Sequence, residues 1–312
     1  MLAPGPLVHS LSLYAAAATL FAGATVHIVQ KFTAPNVLDV IFAQSITDLY
    51  VVPTMFEALY EESLKRGQSL VTTSSVRSII STGDKWSALS KRKVKMVFPG
   101  ASLFEFYGAS ELSFVTILDP DGNQRRPDSV GKPVENVTIS IRDAEGKEVQ
   151  RGEAGTLYVQ SPMLFAGYYM GNTIASESSE NGWVTVGDIA KQDEEGFVYI
   201  VGRKNNMLIS GGLNIYPQEI EEVLLQIPSI HESLVIGVPD THWGEKIVAL
   251  VKLKPEATLE EDTVKMYCRD HLATYKCPKE IRQVEVFPYT QSGKIARQVM
   301  REQFTWRQTN HE

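Results

Sequence analysis

The sequence predicts three successive architectures in one chain: α/β to residue 112, mainly β from 113 to 204, and α+β from 205 to 312. Short apolar runs separated by helical stretches point to the first. Alternation of apolar and polar residues with period two points to the second. A proline-led helix, an apolar strand and a further helix point to the third.

The opening Met1-Leu2-Ala3-Pro4-Gly5-Pro6 runs directly into apolar sequence and reads as a start inside a domain. Leu11 to Val29 carries no charge and is alanine-rich, so it reads as a buried helix followed by a strand over Ala24–Val29. It contains His27 and polar hydroxyls and lacks a basic lead-in, which argues against a transmembrane span or a signal peptide. Leu49 to Val52 and Ser78 to Ile80 suit buried strands, and Thr54 to Lys65 a helix.

Val137, Ile139 and Ile141 alternate with Thr138, Ser140 and Arg142, the mark of a half-buried strand. Asp143 to Lys147 is a turn and Thr156 to Val159 a second strand, so a small sheet or barrel is expected. Beyond Asn206, Pro217 suits a first helical turn, and Ile220, Val223, Leu224 and Ile227 share one face. Leu234 to Val238 reads as a strand. Thr258 with Glu261 has the spacing of a capping box for a helix running to Leu272.

Composition narrows the function. The 312 residues are 43% hydrophobic and 21% charged, with a net charge of −7. That is an ordinary globular balance, with room for about two domains. An acidic chain argues against general nucleic-acid or membrane-surface binding. Cys268 and Cys277 have no metal or redox spacing, and a reduced, cytoplasmic protein is the simplest reading.

Several short segments carry chemistry. Phe106-Tyr107-Gly108-Ala109-Ser110-Glu111 places a carboxylate beside a hydroxyl and a flexible glycine, donors suited to a hard cation and a phosphate oxygen. Asp188 ends Trp183-Val184-Thr185-Val186-Gly187-Asp188, and a carboxylate accepts two hydrogen bonds from a vicinal diol. Arg203, in Val201-Gly202-Arg203-Lys204-Asn205-Asn206, offers donors from the other side. Ser210-Gly211-Gly212 permits close backbone approach by a ligand. Pro288 to Arg297 (P-Y-T-Q-S-G-K-I-A-R) presents Lys294 on a glycine-flanked loop, where an ammonium can follow charge moving between a carboxylate and a phosphate. Taken singly, each is also compatible with a turn or a surface charge.

In this order the segments resemble the adenylate-forming (acyl-CoA synthetase) superfamily, from about residue 3 to 300. The resemblance implies that Glu111 binds Mg²⁺, Ser110 the α-phosphate, and Tyr107 with Gly108 the adenine region. It implies that Gly83, in Ser81-Thr82-Gly83-Asp84, borders the adenine. Asp188 and Arg203 would hold the ribose. Asn205 would be the hinge of a mobile lid over 205–312. Gly211 and Gly212 would line the pantetheine tunnel, Lys294 would be the adenylation lysine, and His9 would sit where acyl pocket and thiol tunnel meet. Three departures stand out: Ser110 replaces threonine, Val186 intervenes in T-V-G-D, and Asn205 replaces aspartate or lysine.

The implied reaction activates a carboxylic acid with ATP and passes the acyl group to coenzyme A. Loading a carrier protein is a second reading, and a nucleotide- or partner-binding fragment without turnover a third. Small residues at Ala15 to Ala18 and Gly23 favour a fatty or aryl acid. The resemblance corresponds to the C-terminal three-fifths of such an enzyme. No segment of these residues matches the phosphate loop whose backbone N–H groups organise the β and γ phosphates. Weak ATP handling by this chain alone is therefore expected. Oligomeric state has no sequence signature.

Overall fold

The computed structural model describes residues 1–67, 74–84, 86, 88–170, 173–175, 180–290 and 295–309. The chain divides into two compact units. One comprises Met1–Val186 with Ala190–Ile200, the other Gly187–Ile189 with Val201–Glu312.

The first unit opens with a layered α/β region. Its elements are β1 (Leu2–Ala3), α1 (Ser10–Phe21), β2 (His27–Ile28), α2 (Ala34–Ala43), β3 (Asp48–Val51), α3 (Pro53–Arg66), β4 (Ser78–Ser81), α4 (Ala88–Val97) and β5 (Ser102–Ala109). The pairings among β2, β1, β3, β4 and β5 are parallel. Parallel strands are covered on both faces, which is why Leu49, Tyr50 and Val51 are all buried.

α3 shows how sequence sets an element. Pro53 fills the first turn, where its missing N–H costs nothing. Phe56, Leu59 and Ser63 fall on the buried face. The helix stops at Gly67, whose φ of 81° is open to glycine. Phe56 packs on Trp86 with ring centroids 4.9 Å apart. The Trp86 indole N–H donates to Ser81 at 2.6 Å, so its polar edge is satisfied inside the core.

Two expectations are corrected here. The helix foreseen after Leu11 forms, but it is not buried: Leu13, Tyr14, Leu20 and Phe21 are exposed, and Phe21 is 97% so. An alanine run carries no amphipathic stripe, so its sequence could not say which face packs. The strand foreseen over Ala24–Val29 contracts to His27–Ile28.

β6 (Ser113–Leu118) returns antiparallel to β5, and β7 (Lys132–Pro133) pairs with β6. The first sheet thus has seven strands in the order β2-β1-β3-β4-β5-β6-β7. Residues 113–118, grouped by sequence with the β region, therefore finish the α/β sheet. Between them lies α5 (Pro120–Arg125), where the Asp119 carboxylate accepts the Gly122 N–H at 2.7 Å.

The β region proper holds β8 (Thr138–Arg142), β9 (Gly155–Gln160), β12 (Asp188–Gln192) and β13 (Val198–Arg203), in the order β13-β12-β9-β8. The hairpin of β10 (Tyr168–Met170) and β11 (Thr173–Ala175) stands apart. The turn after β8 forms because Asp143 accepts the Glu145 and Lys147 N–H groups at 3.1 and 2.8 Å.

The second unit pairs β14 (Leu208–Ser210), β15 (Leu213–Ile215), β16 (Ile230–Asp240), β17 (Gly244–Leu253) and β18 (Glu280–Gln283), in the order β15-β14-β17-β16, with β18 parallel to β17. α6 (Pro217–Leu224) and α7 (Glu261–His271) share one core with this sheet, through Ile220, Leu224, Val264 and Cys268. On its other side Phe287 and Met300, the latter from α8 (Arg297–Thr309), pack against Leu234, Ile236 and Val248. The Thr258 capping box does not form. The cap residue of α7 is Glu260, and Thr263 donates to its carboxylate at 3.0 Å.

Candidate functional site

In an open parallel sheet the loops that leave the carboxyl ends of the strands gather at one edge, where ligands bind. In the first unit β1 runs toward Pro4–His9, β4 toward Thr82–Asp84, and β5 toward Ser110–Glu111. Topology therefore places His9, Gly83 and Glu111 at the same edge. His9 is exposed and caps α1 by position, without a side-chain cap bond. Gly83 is exposed with φ of 92°. A cleft of about 440 Å³ lies at the opposite, amino edge, lined by Met1, Thr25, His27 and Asp48. It is remote from these loops, and its lining holds none of the candidate residues.

The β5–β6 hairpin builds the Glu111 tip. Its register shifts between Tyr107 and Gly108, so a bulge precedes the turn. Gly108 is obligatory there: a Cβ would sit 1.9 Å from the Ser113 carbonyl oxygen. Leu112, 1% exposed, anchors the tip from below, while Ser110 is exposed and Glu111 half-buried. Tyr107 packs half-buried against the β-region core.

Two contacts 57 and 54 residues along the chain fix the glutamate. The Tyr168 hydroxyl donates to Glu111 Oε1 at 2.8 Å, and the Phe165 N–H donates to the Glu111 carbonyl at 3.0 Å. Sequence reasoning gave the Phe165–Tyr168 segment no part in the site. It also missed the ion pair of Lys91 with Glu105 at 2.7 Å, which braces α4 against β5. Its alignment is that of charges in contact rather than of a directed hydrogen bond to Oε1.

Glu111 suits a cation that arrives with its substrate. Among the described residues no group of three or more His, Cys, Asp or Glu side chains is placed to hold a metal. A single half-buried carboxylate with hard oxygens fits Mg²⁺, which takes one or two protein carboxylates and completes its shell with phosphate and water.

In the second unit, Asp188 and Arg203 lie on neighbouring strands. Arg203 Nε donates to Asp188 Oδ1 at 3.0 Å; the Asp188 side chain is 6% exposed and that of Arg203 57%. The two were expected to approach a ligand from opposite sides, and here they pair with each other. Gly187 (φ 79°) sets the turn before Asp188, and its carbonyl accepts the Lys204 N–H at 2.8 Å. Gly202 leaves room for the Tyr216 ring, which a Cβ would meet at 3.2 Å.

Asn205, the expected hinge, is exposed in a 3₁₀ turn, Lys204–Asn206, with an ordinary negative φ. Gly211 (φ 58°) and Gly212 (φ 78°) form the two-residue turn between β14 and β15. Both central residues are left-handed, as a type I′ hairpin requires. The Gly211 N–H donates to the Trp243 carbonyl at 2.9 Å. Lys294 falls outside the described residues. Its flanks are held: Tyr289 bridges Ile295, Ala296 N–H donates to Pro288 at 2.8 Å, and Arg297 forks onto the Glu221 carboxylate at 2.7 and 3.0 Å.

Comparison with known proteins now decides the family. Residues 1–169 match the family described as AMP-binding enzyme, and residues 219–294 the AMP-binding enzyme C-terminal domain. The chain belongs to the AMP-binding enzyme family. It is 44% identical over 297 residues to an uncharacterized acyl-CoA ligase, YhfT, of Bacillus subtilis, covering 95% of this chain and 58% of that protein. It is 30% identical to the medium/long-chain-fatty-acid–CoA ligase FadD8 of Mycobacterium tuberculosis, covering 92% and 51%. Among solved structures, o-succinylbenzoate CoA synthetase of Bacillus subtilis with its acyl-adenylate intermediate aligns with a TM-score of 0.83 at 30% identity, over 96% of this chain and 60% of that one. The amide bond synthetase McbA of Marinactinospora thermotolerans aligns with a TM-score of 0.88 at 29% identity, over 97% and 61%. The chain thus spans about half to three-fifths of the length of these relatives. Among the described residues no helix is long and apolar enough to cross a membrane.

Proposed function

We propose that the protein is an acid–thiol ligase that passes a carboxylic acid through an acyl-adenylate. In the first step a carboxylate oxygen attacks the α-phosphorus of ATP and pyrophosphate leaves. In the second the coenzyme A thiol attacks the acyl carbonyl, and AMP leaves with the electron pair of the broken C–O bond. The supporting observation is the Glu111 tip: a carboxylate held at the carboxyl edge of a parallel sheet, in the family whose AMP-binding match covers it.

Glu111 would hold Mg²⁺, which when bound neutralises charge on the phosphate oxygens. Ser110 would meet the α-phosphate and Tyr107 the base, with Gly83 beside it. Asp188 would accept the ribose hydroxyls, with Arg203 orienting its carboxylate through the 3.0 Å contact. Lys294 would stabilise the adenylation transition state. The region from Asn205 onward would then reorient about that residue, withdrawing Lys294 and presenting Gly211 and Gly212 to the thiol. His9 would border the acyl group. A fatty or aryl acid is the proposed substrate class, in keeping with the fatty-acid ligase among the relatives.

The test is acid-dependent pyrophosphate release from ATP and Mg²⁺ with fatty and aryl acids, with coenzyme A or an amine as acceptor. Expected is release that is slow, in keeping with weak ATP handling by this chain alone, but that requires the acid and falls at least about 100-fold in Glu111→Gln. Release that ignores the acid, or that survives this substitution, overturns the proposal. The likeness to an amide bond synthetase makes the amine arm necessary, since amide product without thioester would reassign the acceptor.

A further inference from the structure

Glu111 is not presented to its ligand by the hairpin alone. Its Oε1 accepts the Tyr168 hydroxyl at 2.8 Å, and its backbone carbonyl accepts the Phe165 N–H at 3.0 Å. Phe165 in turn meets the Tyr168 ring edge-on, centroids 5.0 Å apart at 74°, and packs against the core of the β region. One short segment therefore grips both ends of the glutamate. Gly167 lies between the two grips with φ of 137°, a conformation that lets the chain turn back within two residues.

We infer that Tyr168 is a positioning residue for the divalent cation: its hydroxyl orients the Glu111 carboxylate that binds the metal carried by the nucleotide. This rests on the adenylating role assigned to Glu111 above. A free glutamate side chain samples many rotamers, and freezing them on binding costs conformational entropy. Tyr168 settles that cost before the metal arrives. A carboxylate accepts about four hydrogen-bond or metal partners, so one hydroxyl on Oε1 leaves coordination capacity. Ligating carboxylates are commonly held in this way, and loss of such a partner weakens metal binding about 10- to 100-fold.

The contact has a bland alternative, that Tyr168 only pins one strand pair to another. The two roles part on the metal. Tyr168→Phe removes one oxygen from a side chain that is 43% exposed and keeps the ring contact with Phe165, so the fold should persist. The experiment measures Mn²⁺ affinity by electron paramagnetic resonance in the presence of ATP, and AMP affinity by calorimetry without metal. It compares wild type, Tyr168→Phe and Glu111→Gln, with thermal melting of each.

Expected is Mn²⁺ binding about tenfold weaker in Tyr168→Phe, with metal-free AMP affinity and melting unchanged. Equal weakening of AMP without metal, or a lowered melting temperature that accounts for the loss, would show a structural clamp and overturn the inference. Mn²⁺ affinity unchanged in Tyr168→Phe but lost in Glu111→Gln would overturn it while leaving the role of Glu111 intact. Mn²⁺ affinity unchanged in both variants would remove the adenylating reading itself.

Discussion

Replacing Gly108 by alanine tests whether the Glu111 tip is built as described. The added Cβ would lie 1.9 Å from the Ser113 carbonyl oxygen and 3.1 Å from its carbonyl carbon, where ordinary contact begins near 3.4 Å. The opposing strand must therefore retreat by about 1.5 Å, and backbone cannot yield as a flexible side chain does. Overpacking of this kind costs about 1–3 kcal/mol. The retreat falls on the turn that carries Ser110 and Glu111, and a displacement of about 1 Å at a reacting centre can cost 100-fold in rate. Gly108→Ala should lower acid-dependent pyrophosphate release by about that factor and lower the melting temperature of the protein. Gly146→Ala is the control. It has φ of 82° with nothing within 4 Å of its Cβ and no link to the tip, so it should lose about 1–2 kcal/mol of stability and keep its rate. A Gly108→Ala protein within twofold of wild type in both measurements would refute the reasoning.

Other predictions follow from the second unit. Asn205→Pro should slow thioester formation from supplied acyl-adenylate about tenfold or more while sparing pyrophosphate release, because proline fixes φ at the proposed pivot; equal loss of both steps would contradict a hinge. Burial raises the Glu232 pKa, but hydrogen bonds from Lys252 at 2.8 Å and from Tyr289 outweigh it and hold the group below its ordinary 4.5. A depressed folded pKa stabilises the protein above the unfolded value, and that stability drains away as pH falls below about 4.5 through the folded value. Glu232→Gln should therefore flatten the acid limb of melting temperature against pH, and an unchanged limb would contradict the pairing. Burial pushes the Cys268 thiol up to about 11, with Cys277 adding to it, and burial also raises Cys277. Both thiols should resist a disulfide reagent at pH 8 until the protein is unfolded, and rapid reaction of the folded protein would contradict their burial.

Much of the layering was legible because it rests on local patterns. Leu49 to Val51 is apolar throughout because parallel strands are covered on both faces. The alternation at Ile139 and Ile141 found a strand but not its burial, since Ser140 is buried and Ile139 only half-buried. Asp143 announced its turn because its side chain bonds its own backbone. What failed was non-local. Nothing in Ser113 to Leu118 says whether it pairs backward with β5 or forward with β8; the bulge at Gly108 and the left-handed Ser113 (φ 59°) decide it. The exposed face of α1 is invisible in a run of alanines. Thr258 has capping spacing, but the helix waits for Glu260.

The site divides in the same way. Gly211 and Gly212 read as a turn because left-handed backbone needs glycine. Asp188 and Arg203 were singled out, but not their mutual pairing, since each residue type suits a ligand equally well. Tyr168 was missed as a partner of Glu111 because a contact across 57 residues leaves no periodic trace.

The most direct measurement is calorimetric binding of a non-reactive acyl-adenylate analogue, benzoyl or palmitoyl sulfamoyl-adenosine, to wild type and to Asp188→Asn. The analogue carries base, ribose and acyl group but no β or γ phosphate, so it probes the adenylate site without the phosphate loop. The account predicts one saturable site per chain, weakened about 10- to 150-fold in Asp188→Asn as charge-assisted bonds to the ribose are lost. No saturable binding, or equal affinity in the two proteins, would contradict it.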